Sequence, residues 1–191
     1  PLTVDPEYVN KLREGRRDEI APCCRCLHCH IGGNQDNADR GYCRVNAMTQ
    51  RVFREGGPSG YELPAADAAK KVMVIGGGPG GMMAAQTAVK RGHTVTLYEK
   101  SGSLGGLLDF AHNVKGPHEN LADFKAYLER QLEVNGVNVV LSKEVDAAFV
   151  ESEAPDAVIL AVGGARDVLE GPGGGVPVVE FNDFMTADMG E

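Results

Sequence analysis

The fold of this chain is decided by the stretch Val72-Met73-Val74-Ile75-Gly76-Gly77-Gly78-Pro79-Gly80-Gly81. A short apolar run before glycines is typical of a buried parallel strand, and Pro79 suits the first turn of a following helix. Gly76, Gly78 and Gly81 form the pattern G-x-G-x-x-G. The first glycine allows a tight turn, the second lets the backbone approach a pyrophosphate, and the third lets helix and sheet pack closely. The stretch therefore predicts a dinucleotide-binding β-α-β unit.

The residues that follow continue the alternation of strands and helices. A second strand is predicted at 94–98, and Glu99 follows it, 18 residues after Gly81. A carboxylate at this place can accept hydrogen bonds from the ribose hydroxyls of an adenosine. Apolar residues three and four apart predict a helix at 117–135, and further strands are predicted at 137–141 and 157–162. This order predicts an α/β fold with a Rossmann-like, doubly wound parallel sheet.

Two further glycine turns add candidate cofactor-binding residues. Lys100, Gly105 and Gly106 follow the second strand, and a glycine turn there suits a flavin dinucleotide better than NAD. Gly163, after the fourth strand, predicts another close approach of the backbone to a ligand. The glycines at 171–175 are interpreted as an ordinary loop.

All five cysteines lie between residues 23 and 43, in a small cysteine-rich segment before the sheet. Cys23, Cys26 and Cys29 stand at every third position, and Cys43 follows after a gap of 13 residues. Three closely spaced thiolates and a distant fourth favour a 4Fe–4S cluster, whereas zinc sites usually present two separated pairs. Cys24 is interpreted as a non-ligand, because it cannot easily share a centre with its neighbour. Zinc ligation and free thiols remain the alternatives.

The composition narrows the classes of function. With 42% hydrophobic residues the chain can bury a core, and its 191 residues suggest one domain plus an appendage at roughly 150 residues per domain. No apolar run is long enough to span a bilayer, and the formal net charge of −8 argues against nucleic acid as a partner. No export signal is visible, and closely spaced cysteines favour a metal site over disulfides. We therefore expect a cytoplasmic protein. We also expect it to bind neither nucleic acid nor membrane.

Four motifs in this order resemble the iron–sulfur flavoenzymes of the old yellow enzyme group. They are Asp5-Pro6-Glu7-Tyr8-Val9-Asn10-Lys11, Ile20-Ala21-Pro22-Cys23, Cys43-Arg44-Val45-Asn46 and the glycine-rich stretch from Val74 to Gly81. Members of the group include 2,4-dienoyl-CoA reductase, 2-enoate reductase and trimethylamine dehydrogenase. The resemblance covers nearly the whole chain.

The resemblance implies that the chain is the middle of a larger enzyme. Its partners would be an FMN-binding TIM barrel and an NAD(P)-binding domain of the same polypeptide. The resemblance indicates no oligomeric state. The implied segments are the barrel's tail (1–22), the iron–sulfur segment (23–56), a linker (57–69), a domain for FAD or ADP (70–180) and a linker towards the NAD(P) domain (181–191).

The function implied by the resemblance is electron transfer. Electrons would pass from NAD(P)H through FAD and a 4Fe–4S cluster to FMN, which reduces an activated C=C bond of an enoate or enoyl-CoA. One alternative is a dehydrogenase like trimethylamine dehydrogenase, with ADP in place of FAD and electrons flowing outward. Another is a zinc-stabilised interaction module that binds a nucleotide. No catalytic residue is identified, so we expect these 191 residues to relay electrons without completing a turnover.

Overall fold

The computed structural model describes residues 2–31, 43–49 and 63–164. The predictions for 171–175 and 181–191, and much of those for 23–56 and 57–69, lie outside the described residues. Within the described ranges no helix is long and apolar enough to cross a membrane.

Four parallel strands form one sheet in the order β3-β2-β1-β4. The strands are β1 (Lys71–Ile75), β2 (Thr94–Tyr98), β3 (Asn138–Val140) and β4 (Ala157–Leu160). The helices are α1 (Tyr8–Arg13), α2 (His28–Ile31), α3 (Pro79–Lys90), α4 (Leu108–Lys115), α5 (Leu121–Val134) and α6 (Ala147–Glu153). The parallel α/β fold predicted from the sequence is confirmed.

The main core lies between the sheet and helices α3 and α5. Alternate residues of β1 and β2, such as Val74 and Leu97, point into it, because side chains of a strand alternate between the two faces. Met82 of α3 and Leu128 of α5 meet them and are fully buried. This contact fixes the position of α3, and with it the glycine turn at its start.

Helix α6 covers part of the opposite face of the sheet. Its Phe149 packs edge-on against Tyr98 of β2, with ring centroids 5.3 Å apart. Asp146 caps the helix by accepting the Phe149 N–H at 2.7 Å. Helices therefore lie on both faces of the sheet, as the doubly wound prediction requires.

Several element boundaries differ from the predictions. The helix predicted at 117–135 begins at Leu121, because Pro117 lies in a separate 3₁₀ turn, Gly116–His118. Strands β3 and β4 are shorter than predicted. Helices α4 and α6 were not predicted, since each offers too few turns for an apolar period to stand out.

The N-terminal tail is held by a buried ion pair. Asp5 is 4% exposed and accepts hydrogen bonds from Lys11 Nζ at 2.8 Å and the Ala21 N–H at 2.9 Å. The Lys11 ammonium also donates to the Glu19 carbonyl at 2.8 Å. These contacts join the first helix to the residues that lead into the cysteine-rich segment.

A second apolar cluster attaches that segment to the sheet domain. It contains Val4, Ala21, Cys24, Cys43, Val45 and Leu121, and all six are buried. Leu121 is the first residue of α5, so the cysteine-rich segment packs on the domain that carries the glycine turn.

We predict that Leu128→Ala lowers the free energy of unfolding by about 2–5 kcal/mol, because it leaves a cavity in the main core. Urea unfolding followed by circular dichroism measures the change. The neighbouring Glu129→Ala on the outer side of α5 should change it by less than about 0.5 kcal/mol. Equal effects of the two substitutions would contradict this description of the core.

Candidate functional site

The glycine turn brings three backbone segments into direct contact. Gly76 has a φ of +109°, and a Cβ there would lie 2.3 Å from the Ala161 carbonyl oxygen. A Cβ on Gly81 would lie 1.8 Å from the Gly76 carbonyl oxygen. Neither position has room for a side chain, so these two glycines allow the ends of β1 and β4 and the start of α3 to meet.

Gly78 differs from its neighbours because the space beside it is open. Its φ of −71° and ψ of 177° suit any residue, and a Cβ there would have no atom of the described residues within 4 Å. Gly78 is the N-cap of α3 and Pro79 is the first helical residue. The open space therefore lies at a helix N-terminus, where backbone N–H groups and the helix dipole favour a phosphate.

Glu99 lies beside this turn at the end of β2. Its Oε2 accepts the Gly77 N–H at 2.6 Å, and its Oε1 accepts the Ser101 N–H at 2.8 Å and the Ser101 hydroxyl at 2.9 Å. Burial raises the pKa of Glu99, but the hydrogen bonds from Ser101 and Gly77 and the charge of Lys100 outweigh it and lower the pKa below its ordinary value. The side chain is held as an ionised acceptor at neutral pH.

The second glycine turn packs against the first. The Gly105 N–H donates to the Gly77 carbonyl at 2.9 Å, and a Cβ on Gly106 would lie 3.1 Å from the Gly78 Cα. Lys100 is exposed and influences the site through its charge on Glu99. Gly163 follows Ala161 by two residues and has open space beside it. The predicted cofactor-binding residues from Gly76 to Gly106 thus converge on one edge of the sheet.

Ser101 was missed by the sequence reasoning. It donates twice to Glu99 and so fixes the orientation of that carboxylate. The only signal in the sequence is a serine two residues after an acid, a spacing at which a side chain and the backbone can form a turn.

The four cysteines predicted as ligands do not form one metal-binding group in this structure. Cys23 and Cys29 are exposed, Cys26 is half-buried and Cys43 is buried, and all are free thiols. Among the described residues no three His, Cys, Asp or Glu side chains converge on a metal position. The ligand assignment therefore stays a prediction.

The loop between these cysteines has an unusual backbone. Arg25 and Leu27 have φ values of 51° and 56°, in the left-handed region that side chains seldom adopt. In the same loop the Arg25 N–H donates to the Cys23 Sγ at 3.4 Å. Hydrogen bonds from backbone N–H groups to cysteine sulfur are among the features that tune iron–sulfur clusters.

Cys24 lies in the second apolar cluster, together with Cys43 and Leu121. Burial, together with smaller contributions from the charges of Cys26, Cys23, Glu119 and Cys43, raises the pKa of its thiol to about 12. Cys24 packs there as a small apolar side chain, as Cys43 does in the same cluster, and its interpretation as a non-ligand stays a prediction.

A family model described as FAD dependent oxidoreductase matches residues 71–120. This range contains β1, the glycine turn, Glu99 and the second glycine turn. The chain is also 43% identical over 162 residues to an NADH oxidase of Thermoanaerobacter brockii, covering 85% of this chain and 24% of that protein.

Two more relatives extend the comparison. A cinnamate reductase of Clostridium sporogenes is 34% identical over 176 residues, covering 88% of this chain and 24% of that protein. The solved structure of a 2-naphthoyl-CoA reductase with 2-naphthoyl-CoA superposes with a TM-score of 0.75 at 32% identity, covering 97% of this chain and 27% of that one. The chain spans about a quarter of the length of the relatives it matches.

We predict that Gly78→Val abolishes retention of a bound nucleotide while the chain stays folded. The substitution suits the local φ and ψ, and its Cβ would have no atom of the described residues within 4 Å, so it fills the space in front of α3. Nucleotide released by heat from the purified protein, measured per chain, gives the result. Gly80→Val is the matched control, because Gly80 is also open but lies on the exposed side of α3. A folded Gly78→Val protein with the parental nucleotide content would exclude this binding site.

Proposed function

Because this chain is related to the 2-enoate reductase and old yellow enzyme-like group of iron–sulfur flavoenzymes, we propose that it is the electron-transfer segment of such an oxidoreductase. It binds the ADP half of FAD at the glycine turn and a 4Fe–4S cluster at the cysteine-rich segment. The observation that carries the proposal is the open space at Gly78 beside an ionised Glu99, within residues that match an FAD-dependent family.

The described residues fit the nucleotide half of FAD. The pyrophosphate would lie at the N-terminus of α3, in the space that a Cβ on Gly78 would enter. An ionised carboxylate has about four acceptor positions, and the hydrogen bonds from Gly77 and Ser101 use three of those on Glu99. A position on Oε2 is left for a ribose hydroxyl. When bound, FAD supplies the chemistry that accepts a hydride and releases single electrons.

The donor set of the cysteine-rich segment fits a cluster. Cys23, Cys26, Cys29 and Cys43 supply four thiols, the number that a 4Fe–4S centre requires. The Arg25 N–H already donates to one of these sulfurs, that of Cys23. Cys24 contributes to the packing of the second apolar cluster. The chain's part is to hold both groups on one domain, since the second apolar cluster joins the cysteine loop to α5.

The remaining partners of the reaction belong to the parent polypeptide in this proposal. FMN would be held by a TIM barrel and NAD(P)H by a further domain, in a cytoplasmic enzyme. The substrate would be an enoate or enoyl-CoA, since one relative is named for cinnamate, which is an enoate, and another for an aryl-CoA thioester. Electrons would then run towards an activated C=C bond.

Purification without oxygen, followed by measurement of iron, acid-labile sulfide, zinc and released nucleotide, tests the proposal. We expect iron and sulfide near four each per chain, FAD, and a brown-yellow protein. Zinc without iron would contradict the cluster, and ADP without flavin would contradict the FAD assignment.

We further predict that Cys24→Ser retains the parental iron and sulfide, whereas Cys26→Ser loses most of both. The reason is that Cys24 cannot easily share a centre with its neighbour Cys23, while Cys26 is one of the predicted ligands. Iron and sulfide per chain, together with visible absorbance, provide the measurement. If Cys24→Ser empties the site and Cys29→Ser does not, the ligand set is different from the one proposed.

A further inference from the structure

Asn120 stands at a position where an asparagine would be expected to cap a helix. It is the N-cap residue of α5, and Asn is among the most favoured residues there because its side chain can accept a backbone N–H of the first turn. In this structure the Asn120 side chain makes no capping hydrogen bond. An N-cap side chain that does not accept a backbone N–H of its own helix indicates a different role.

The side chain is bound instead to the cysteine-rich segment, far away in sequence. Its Nδ2 donates to the Cys23 carbonyl at 3.0 Å. Its Oδ1 accepts a hydrogen bond from the Arg25 guanidinium. Asn120 therefore holds the Cys23–Arg25 turn at both of its ends.

This turn is the one that directs an N–H group at sulfur. The left-handed φ of Arg25 costs conformational energy, so contacts from outside the turn are needed to keep it. The two hydrogen bonds to Asn120 are such contacts, and the turn that they hold contains the hydrogen bond from the Arg25 N–H to the Cys23 Sγ, at 3.4 Å.

The residue between the two ends strengthens the same attachment. Cys24 is buried in the apolar cluster with Leu121, the neighbour of Asn120. Residues 23–25 therefore meet residues 120–121 through a polar contact at each end and an apolar contact in the middle. An attachment of this kind resists rotation of the loop about either contact.

We propose that Asn120 is a positioning residue that clamps the Cys23–Arg25 turn to the start of α5 and, by keeping an N–H group on the Cys23 sulfur, raises the reduction potential of the cluster. The inference rests on the proposed function in one respect, the ligation of a cluster by Cys23. The potential is affected because an N–H donor stabilises the more negative, reduced form of an iron–sulfur centre.

Asn120→Ser separates the clamp from a capping role. Serine is as good an N-cap as asparagine, so it preserves or strengthens α5, but its short side chain cannot reach the Cys23 carbonyl and the Arg25 guanidinium together. Asp146→Ala is the matched control, because it removes the N-cap of α6, whose hydrogen bond goes to Phe149 within that helix.

Redox titration and electron paramagnetic resonance of the cluster-loaded chain give the first readout. We expect Asn120→Ser to retain iron, to show a more negative potential and to have altered g-values, while Asp146→Ala lowers the thermal midpoint and leaves the cluster unchanged. If Asn120→Ser binds the full amount of iron but has the reduction potential and paramagnetic resonance spectrum of the parent, the inference is overturned. The proposed function would still stand.

Hydrogen exchange gives a second readout that needs no cluster. In the iron-free chain, peptides that span residues 23–26 should exchange several-fold faster in Asn120→Ser than in the parent or in Asp146→Ala. Unchanged exchange would overturn the clamp whether or not the chain binds iron. A parent chain that binds no iron after anaerobic reconstitution would refute the proposed function, and exchange would then decide on the clamp alone.

Discussion

The close approach of three backbone segments at the glycine turn is the constraint on which the rest of the structure depends. Gly76 touches the Ala161 carbonyl region and Gly81 touches Gly76, with no space for a side chain at either contact. Because α3 starts where these segments meet, its N-terminus is placed at the carboxyl edge of the sheet. Gly78 lies between these two contacts and has open space beside it.

Hydrogen bonds around Glu99 add fixed polar groups to this packing, at the proposed nucleotide site. The carboxylate joins the end of β2 to Gly77 of the first turn and to Ser101 of the next loop. The second glycine turn is tied to the first through the Gly105 N–H and the Gly77 carbonyl. Acceptors and donors are thus oriented before a ligand binds, which reduces the entropy lost on binding.

The start of α5 joins the sheet domain, which carries the proposed nucleotide site, to the cysteine-rich segment. Leu121 packs in the second apolar cluster, and Asn120 holds the Cys23–Arg25 turn. The body of the same helix buries Leu128 in the main core beneath the sheet. A single helix therefore transmits the rigidity of the core to the loop proposed to bind the cluster.

The amino-acid sequence by itself determined the strand–turn–helix unit, the place of Glu99 and the spacing of the cysteines. These features are local, since each depends on residues a few positions apart and on the steric needs of glycine. Tertiary structure decided the contacts of Ser101 and Asn120, the Ala161 carbonyl that requires glycine at position 76, and the two short helices α4 and α6. Asn120 shows the physical reason: its local surroundings predict a helix cap, and only the packing of α5 against a segment 95 residues away offers its side chain other partners.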